Sequence, residues 1–243
     1  MKLLALDCST EACSVALYNN AAATSPGAGE VVAEQFQLAA REHTRRLLPM
    51  VEQVLAEGGI GLSQLDAIAF GRGPGSFTGL RIALGAVQGL AFGADLPVVP
   101  VSSLAGLAQT AVDARDWDAQ GETGLVAAID ARMDEVYWAQ FTVEEGLVVL
   151  QGEEQLSPPE ALLQSPLLPR ELIGVGSGWQ YADRIPLASQ MAAIEGECLP
   201  RAGAIVRLAE REFHSGNTCP AEHALPTYLR DEVAWQKSMP AQP

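Results

Sequence analysis

Apolar positions recur along this chain with two periods, and their order predicts most of its architecture. Residues 2–6 and 13–18 are short apolar runs. Residues 31–38 alternate Val31, Ala33 and Gln35 against Val32, Glu34 and Phe36, so the opening segment predicts a three-stranded meander. A Gly/Ala/Asn-rich loop over 19–29 separates the second and third strands. Over 41–57 the period changes to that of a helix: Leu47, Leu48, Val51, Val54 and Leu55 share one face, and Gly58-Gly59 stops it. Pro49 lies inside that pattern and should kink the helix or shift its start. A short strand over 65–70, a glycine-rich stretch over 71–79, a helix over 80–92 and a strand over 97–101 complete the first half.

The second half repeats this order more loosely. A helix over 104–112 leads into an acidic linker, 113–122, then strands over 126–129, 136–141 and 147–150. Ser157-Pro158-Pro159-Glu160 reads as the cap of a short helix. A strand over 171–175 runs into Gly174-Val175-Gly176-Ser177-Gly178, and a helix over 201–214 precedes an extended tail, 225–235. Asp7 ends Leu3-Leu4-Ala5-Leu6, and Asp130 ends the near-copy Val126-Ala127-Ala128-Ile129; each is followed by a turn and a second apolar stretch. One acid at each of two matched strand–turn–strand units predicts an α/β fold of duplicated ribonuclease-H-like lobes. This is the actin/hexokinase-like ATPase arrangement, with lobes at 1–104 and 105–243.

Composition narrows the function. The chain has 243 residues, 48% of them hydrophobic, which is enough to bury ordinary cores. No apolar run reaches the roughly 18–20 residues that span a bilayer, so no membrane association is expected. The N-terminus begins directly with strand-like residues and an early Asp, which argues against a signal peptide. Cys8, Cys13, Cys198 and Cys219 show no CxxC spacing and read as free thiols of a cytoplasmic protein. The formal net charge is −15, from 30 acidic and 15 basic residues. That field opposes unaided binding of nucleic acid, which requires phosphate neutralisation. The local cluster Arg41, Arg45 and Arg46 reads as a solvated helix face.

The densest motif is Gly71-Arg72-Gly73-Pro74-Gly75-Ser76-Phe77-Thr78-Gly79-Leu80-Arg81, at a strand–helix junction where free N–H groups favour an anion. It is neither a Walker A loop nor a Rossmann fingerprint. Close packing and anion binding both remain open from the residues alone. The helix that follows carries Gly85 and Gly89 with Ala83, Ala86 and Ala91; each glycine costs about 1 kcal/mol relative to alanine. Close contact with another backbone, within the fold or across subunits, would offset that. Asp7, Ser9 and Thr10 resemble a phosphate hairpin, with the carboxylate on a Mg²⁺-bound water. The second copy continues Ala131-Arg132-Met133-Asp134, without hydroxyls or glycine. A nuclease reading would recruit Glu11, Asp130 and Asp134, against the overall charge. Ser76 and Ser177 lack a nucleophile elbow. His43, His214 and His223 show no metal-pair spacing and read as surface or helix-end residues.

Leu3-Leu4-Ala5-Leu6-Asp7-Cys8-Ser9-Thr10, Glu42-His43-Thr44-Arg45-Arg46-Leu47-Leu48-Pro49, the Gly71 to Arg81 run and Pro226-Thr227-Tyr228-Leu229-Arg230-Asp231-Glu232 together resemble the TsaB (YeaZ) family. The resemblance covers nearly the whole chain. It implies the two-lobed fold and a part in making threonylcarbamoyladenosine in tRNA. The family's catalytic paralogue, TsaD, carries a metal-binding HxxxH after a similar glycine-rich helix; by position, Ser103 and Leu107 stand there in this sequence. The implied role is therefore a noncatalytic scaffold or activator that binds TsaD, with TsaE joining. ATP and Mg²⁺ belong to that complex rather than to this chain alone, and tRNA is reached only through it. The resemblance also implies that the helices over 41–57 and 80–92 contact TsaD, or a second copy in a homodimer. The interface residues on them are Leu47, Leu48, Val51, Leu55, Arg81, Leu84, Gly85, Gln88 and Gly89. No catalytic and no metal-binding residue is expected. The rival readings are a Mg²⁺-dependent ATPase or phosphotransferase using Asp7 and Asp130, and a peptidase.

Overall fold

The computed structural model describes residues 1–20, 29–115, 123–163 and 171–230. Strands β1 (Lys2–Asp7), β2 (Ala12–Asn19) and β3 (Glu30–Leu38) form the meander. Strands β4 (Ala67–Gly71) and β5 (Val98–Val101) add in parallel on the far side of β1, in the order β3-β2-β1-β4-β5. Strands β6 (Thr123–Arg132), β7 (Glu135–Glu144), β8 (Leu147–Ser157), β9 (Glu171–Val175) and β10 (Met191–Glu195) give the second sheet, ordered β10-β9-β6-β7-β8. Put β6 in place of β1 and the two orders coincide. The duplicated ribonuclease-H-like architecture follows from that match.

Four helices fill the layers: α1 (His43–Glu57), α2 (Phe77–Ala94), α3 (Ser103–Asp113) and α4 (Ala202–His214). Successive side chains of a strand point to opposite faces. Leu4, Leu6, Val15 and Leu17 meet Leu47, Val51, Val54, Ala83 and Val87 of α1 and α2. Leu3, Ala5 and Tyr18 face the other way, into a core shared by α3 (Leu104, Leu107), α4 (Ile205, Leu208) and the second sheet (Leu125, Ala127, Ile129). Strand β1 is buried on both faces, which is why it reads as an unbroken apolar run. Val126, Ala128, Trp138, Trp179 and Leu187 form the core on the outer face of the second sheet.

Several expectations are corrected. Helix α1 starts at His43, because Arg41 has φ 68° and cannot begin a helix. It runs across Pro49, which sits on its exposed side. Helix α2 starts three residues before the predicted Leu80, since Ser76 Oγ accepts from Gly79 N at 3.3 Å as an N-cap. Its 18 residues are also long and apolar enough to cross a membrane by length and composition, contrary to expectation; in this fold Leu80, Ala83, Leu84, Val87 and Ala91 of that helix are buried. The helix expected at Pro158 is a single 3-10 turn, Pro159–Ala161. Strand β8 is longer than 147–150, and β10 and the 3-10 segments Ser177–Arg184 and Pro186–Gln190 carried no periodic signal. Parts of the loop over 19–29, of the acidic linker and of the tail beyond Arg230 lie outside the described residues.

Candidate functional site

Asp7 ends β1, and the chain turns through Cys8, Ser9 and Thr10 into β2. Asp7 and Ser9 are fully buried and Thr10 nearly so. Asp7 Oδ1 accepts from Ser9 N at 3.0 Å and Ser9 Oγ at 2.9 Å. Its Oδ2 is buried without a hydrogen-bond partner and lies against Gly71, where a Cβ would stand 1.9 Å from it. The glycine-rich stretch is clamped over this turn. Ser76 N donates to Ser9 O at 2.7 Å; a Cβ on Gly75 would lie 2.3 Å from Ser9 O, and one on Gly79 1.8 Å from Cys8 O. Thr10 Oγ1 accepts from Ala12 N. The ring Nε2 of His43 lies 3.1 and 3.2 Å from the carbonyls of Thr10 and Ala12, and two acceptors there require that it carry the proton. His43 is thus a helix-end residue, as the first residue of α1, but it is buried and braces the hairpin.

At Asp7, Ser9 and Thr10, the residues read as a phosphate hairpin, the Ser9 hydroxyl and amide are turned inward on Asp7, and the glycine loop packs directly on the turn. Burial pushes the Asp7 carboxyl from an ordinary 3.8 up to about 7, against the lowering effect of the Ser9 hydrogen bonds. A Mg²⁺ ion needs several oxygen ligands or waters. A carboxyl sealed against a glycine Cα supplies no such site.

At the second hairpin, Asp130 Oδ1 accepts from Arg132 N at 2.9 Å and Tyr181 OH at 3.3 Å, and Oδ2 pairs with Arg132 Nη1 at 2.9 Å. Arg132, Met133 and Asp134 have φ of 62°, 55° and 65°. Arg184 holds the turn by gripping Asp134 and Glu160. This acid is neutralised by its own neighbours. Ser103 Oγ accepts from Gly73 N at 3.1 Å and Leu107 is wholly buried in the shared core, so neither offers a metal ligand. Among the described residues no group of three His, Cys, Asp or Glu is placed to hold a metal ion.

The surface around α2 is different. Arg81, Gly85 and Gly89 form an exposed stripe at four-residue spacing that continues to Gly93, and a Cβ on any of these three glycines would meet nothing within 4 Å. Phe77 (48% exposed) and Phe92 (79%) border it on the helix, and Leu48 of α1 is 48% exposed. The expected interface divides here. Leu48, Arg81, Gly85 and Gly89 are presented outward, whereas Leu47, Val51, Leu55 and Leu84 are core residues packed between α1, α2 and the sheet. Leu47 and Val51 lie deep under the helix, as a 3.6-residue apolar stripe that holds a helix down must, while Leu55 and Leu84 each keep 9% exposure. Gln88 donates to Ala224 O at 3.1 Å and fixes the C-terminal segment. Sequence reasoning did not single out Phe77, Phe92 and Tyr228, which are exposed at 48%, 79% and 43%. The Ser76 N-cap would have found Phe77, one turn before Arg81 on the same face.

The family model described as "TsaD: tRNA N6-adenosine threonylcarbamoyltransferase" matches residues 29–237. The "tRNA threonylcarbamoyladenosine biosynthesis protein TsaB" of Escherichia coli K12 is 44% identical, with 98% of each chain covered. The protein of the same name from Haemophilus influenzae is 43% identical over 98% of this chain and 97% of its own. A solved structure of YeaZ from Pseudomonas aeruginosa superposes with a TM-score of 0.82 at 45% identity, covering 94% of this chain and 99% of that one. The chain belongs to the TsaB (YeaZ) family.

Proposed function

We propose that this chain serves threonylcarbamoylation of tRNA adenosine as a noncatalytic scaffold or activator. It docks a TsaD-type transferase through the exposed face of α2, with TsaE joining the assembly and ATP and Mg²⁺ bound at that level. One contrast carries the reading. The groups that would do phosphate or metal chemistry are sealed (Asp7), self-neutralised (Asp130) or without metal-ligand chemistry (Ser103, Leu107), whereas the Gly85–Gly89 stripe is open. Small residues let a partner's backbone approach closely, which offsets their cost in helix propensity. A homodimer through the same face would compete with the transferase.

The test is reconstitution of the tRNA modification with TsaC, TsaD and TsaE, with and without this chain. Activity is expected to depend on it. Gly85→Leu or Ala86→Glu is expected to abolish copurification with TsaD while leaving the circular-dichroism spectrum unchanged. A complex that survives both substitutions refutes the docking face. Mg²⁺-dependent ATP turnover by the isolated chain, lost in Asp7→Asn, refutes the noncatalytic reading.

A further inference from the structure

The C-terminal segment runs beside α2 and then crosses to the other lobe, and each step is tied. Cys219 exchanges backbone hydrogen bonds with Val98 at 2.9 and 2.8 Å. Gln88 Nε2 holds Ala224 O, as described above. Thr227 N donates to Arg72 O at 2.7 Å, and Arg72 Nη1 donates to Thr227 Oγ1 at 2.6 Å. Arg81 Nε donates to Tyr228 OH at 3.1 Å; its guanidinium lies 3.7 Å from the Phe77 ring centre, and the Phe77 and Tyr228 rings are 5.6 Å apart. Two residues on, Arg230 reaches the turn between β6 and β7. It donates to the carbonyls of Ala131 (3.2 Å) and Arg132 (3.4 Å), pairs with Glu135 at 2.5 Å and touches Met133 Sδ at 3.1 Å.

The result is a strap whose outer side chains share a surface with α2. Tyr228, 43% exposed, lies against Phe77 and Arg81, and Leu225, 69% exposed, follows the Ala224 that Gln88 holds. A tyrosine and an arginine stacked on a phenylalanine are the side chains that concentrate binding energy at protein interfaces. Tyr228 does not sit on the helix, however. Its place depends on where the strap is fastened, and the last described fastening is Arg230 on the second lobe.

We infer that the docking face is composite, and that Arg230 is the positioning residue that holds Tyr228 against Phe77 and Arg81. The inference rests on the docking reading above and adds the tail, and through it the second lobe, to the recognition of the transferase. Partner affinity then reports on how the β6–β7 turn is held, although that turn lies off the helix face.

The experiment measures binding of the TsaD-family protein from the same organism to wild type, Tyr228→Ala, Arg230→Met, the double variant and Gly85→Leu. Urea unfolding of each keeps folding separate from binding. Tyr228→Ala is expected to weaken binding about tenfold or more, the range of an interface anchor. Arg230→Met, which keeps the stem and removes the fork, is expected to weaken it severalfold with its unfolding midpoint near wild type. Because Arg230 acts through Tyr228, the double variant should bind no worse than Tyr228→Ala alone. Wild-type affinity in both tail variants, with Gly85→Leu binding lost, overturns the composite face while leaving the helix face standing. Additive losses overturn the positioning role. Undiminished binding by Gly85→Leu removes the helix-face reading, and the inference falls with it.

Discussion

Gly79 and Gly85 lie on one helix, six residues apart, and the same substitution at each should act with opposite sign. A Cβ on Gly79 would stand 1.8 Å from the carbonyl oxygen of Cys8, where ordinary contact begins at 3.4 Å. Backbone lies on both sides, so no side chain can swing away; the first turn of α2 or the Asp7 hairpin must move by about 1.6 Å. That motion breaks the 2.7 Å bond from Ser76 N to Ser9 O and strains the Ser76 cap, each worth about 1 kcal/mol. Overpacking adds about 1 kcal/mol or more. Gly79→Ala should therefore destabilise by about 3 kcal/mol. Gly85 has nothing within 4 Å of an added Cβ, so Gly85→Ala should stabilise by about 1 kcal/mol through helix propensity alone. Urea unfolding followed by circular dichroism reads both, over a dilution series because Gly85 lies on the proposed self-association face. If Gly79→Ala unfolds within about 1 kcal/mol of wild type, the glycine loop is not clamped on the hairpin.

Asp7 makes stability depend on pH in a stated direction. Its folded pKa of about 7 lies above the unfolded 3.8, so the folded state holds the proton longer, and stability falls as pH rises through that window and levels off above it. The full effect is at most about 4 kcal/mol. Asp7→Asn should flatten that slope, and an unchanged slope in unfolding midpoints from pH 4.5 to 8 (about the window of the shift) would remove Asp7 as its source. Tyr18 OH donates to the buried Glu210 Oε2 at 2.6 Å and accepts from Gly29 N at 2.6 Å. Tyr18→Phe should cost about 2 kcal/mol in urea, and a neutral result would show that the hydroxyl does not tie β2 to α4. Asp134 has φ 65° in an exposed turn, so Asp134→Gly should raise the thermal midpoint slightly, by up to about 1 kcal/mol of stability. A lowered midpoint would mean that the Arg184 pair outweighs the backbone strain.

The sequence carried the fold further than the site, for a physical reason. Strand order follows from local runs such as Leu3-Leu4-Ala5-Leu6 and its copy before Asp130, and both sheets bear it out. A hairpin of Asp, Ser and Thr has the same local composition whether it is open to phosphate or roofed over. The roof here is Gly71, Gly75, Gly79 and Ser76, far along the chain, so only the folded structure reveals it. The same blindness left His43 as a surface or helix-end residue, when it is a helix-end residue turned inward onto two carbonyls. Nor does an apolar stripe say which neighbour it faces: Leu47 and Val51 pack inward on the sheet. The residues between β9 and β10 fold as 3-10 turns, whose short runs leave no helical period to read.

Those turns explain why the two lobes cannot be equivalent. In the first lobe α1 follows β3 and α2 follows β4, and both cover the outer face of the sheet. At the matching places in the second lobe the described residues form only 3-10 turns. Trp179 does much of the covering: it lies flat on Gly174, where a Cβ would fall 2.4 Å from the indole, and its Nε1 donates to Val126 O at 3.0 Å. With Leu162, Ile185 and Leu187 the indole covers that side of the sheet without a long helix. A long helix has two sides, and α2 uses one on Leu6, Ile68 and Phe70 while leaving the other, with its glycines, to solvent. The docking surface proposed above thus lies on the first lobe, whose long helix leaves a face open. The second lobe reaches the strap through Arg230 on the β6–β7 turn and through Arg72, which bonds both Glu154 of β8 and Thr227; Arg230 is the one that lies on the strap itself, which is why that arginine is the place to perturb.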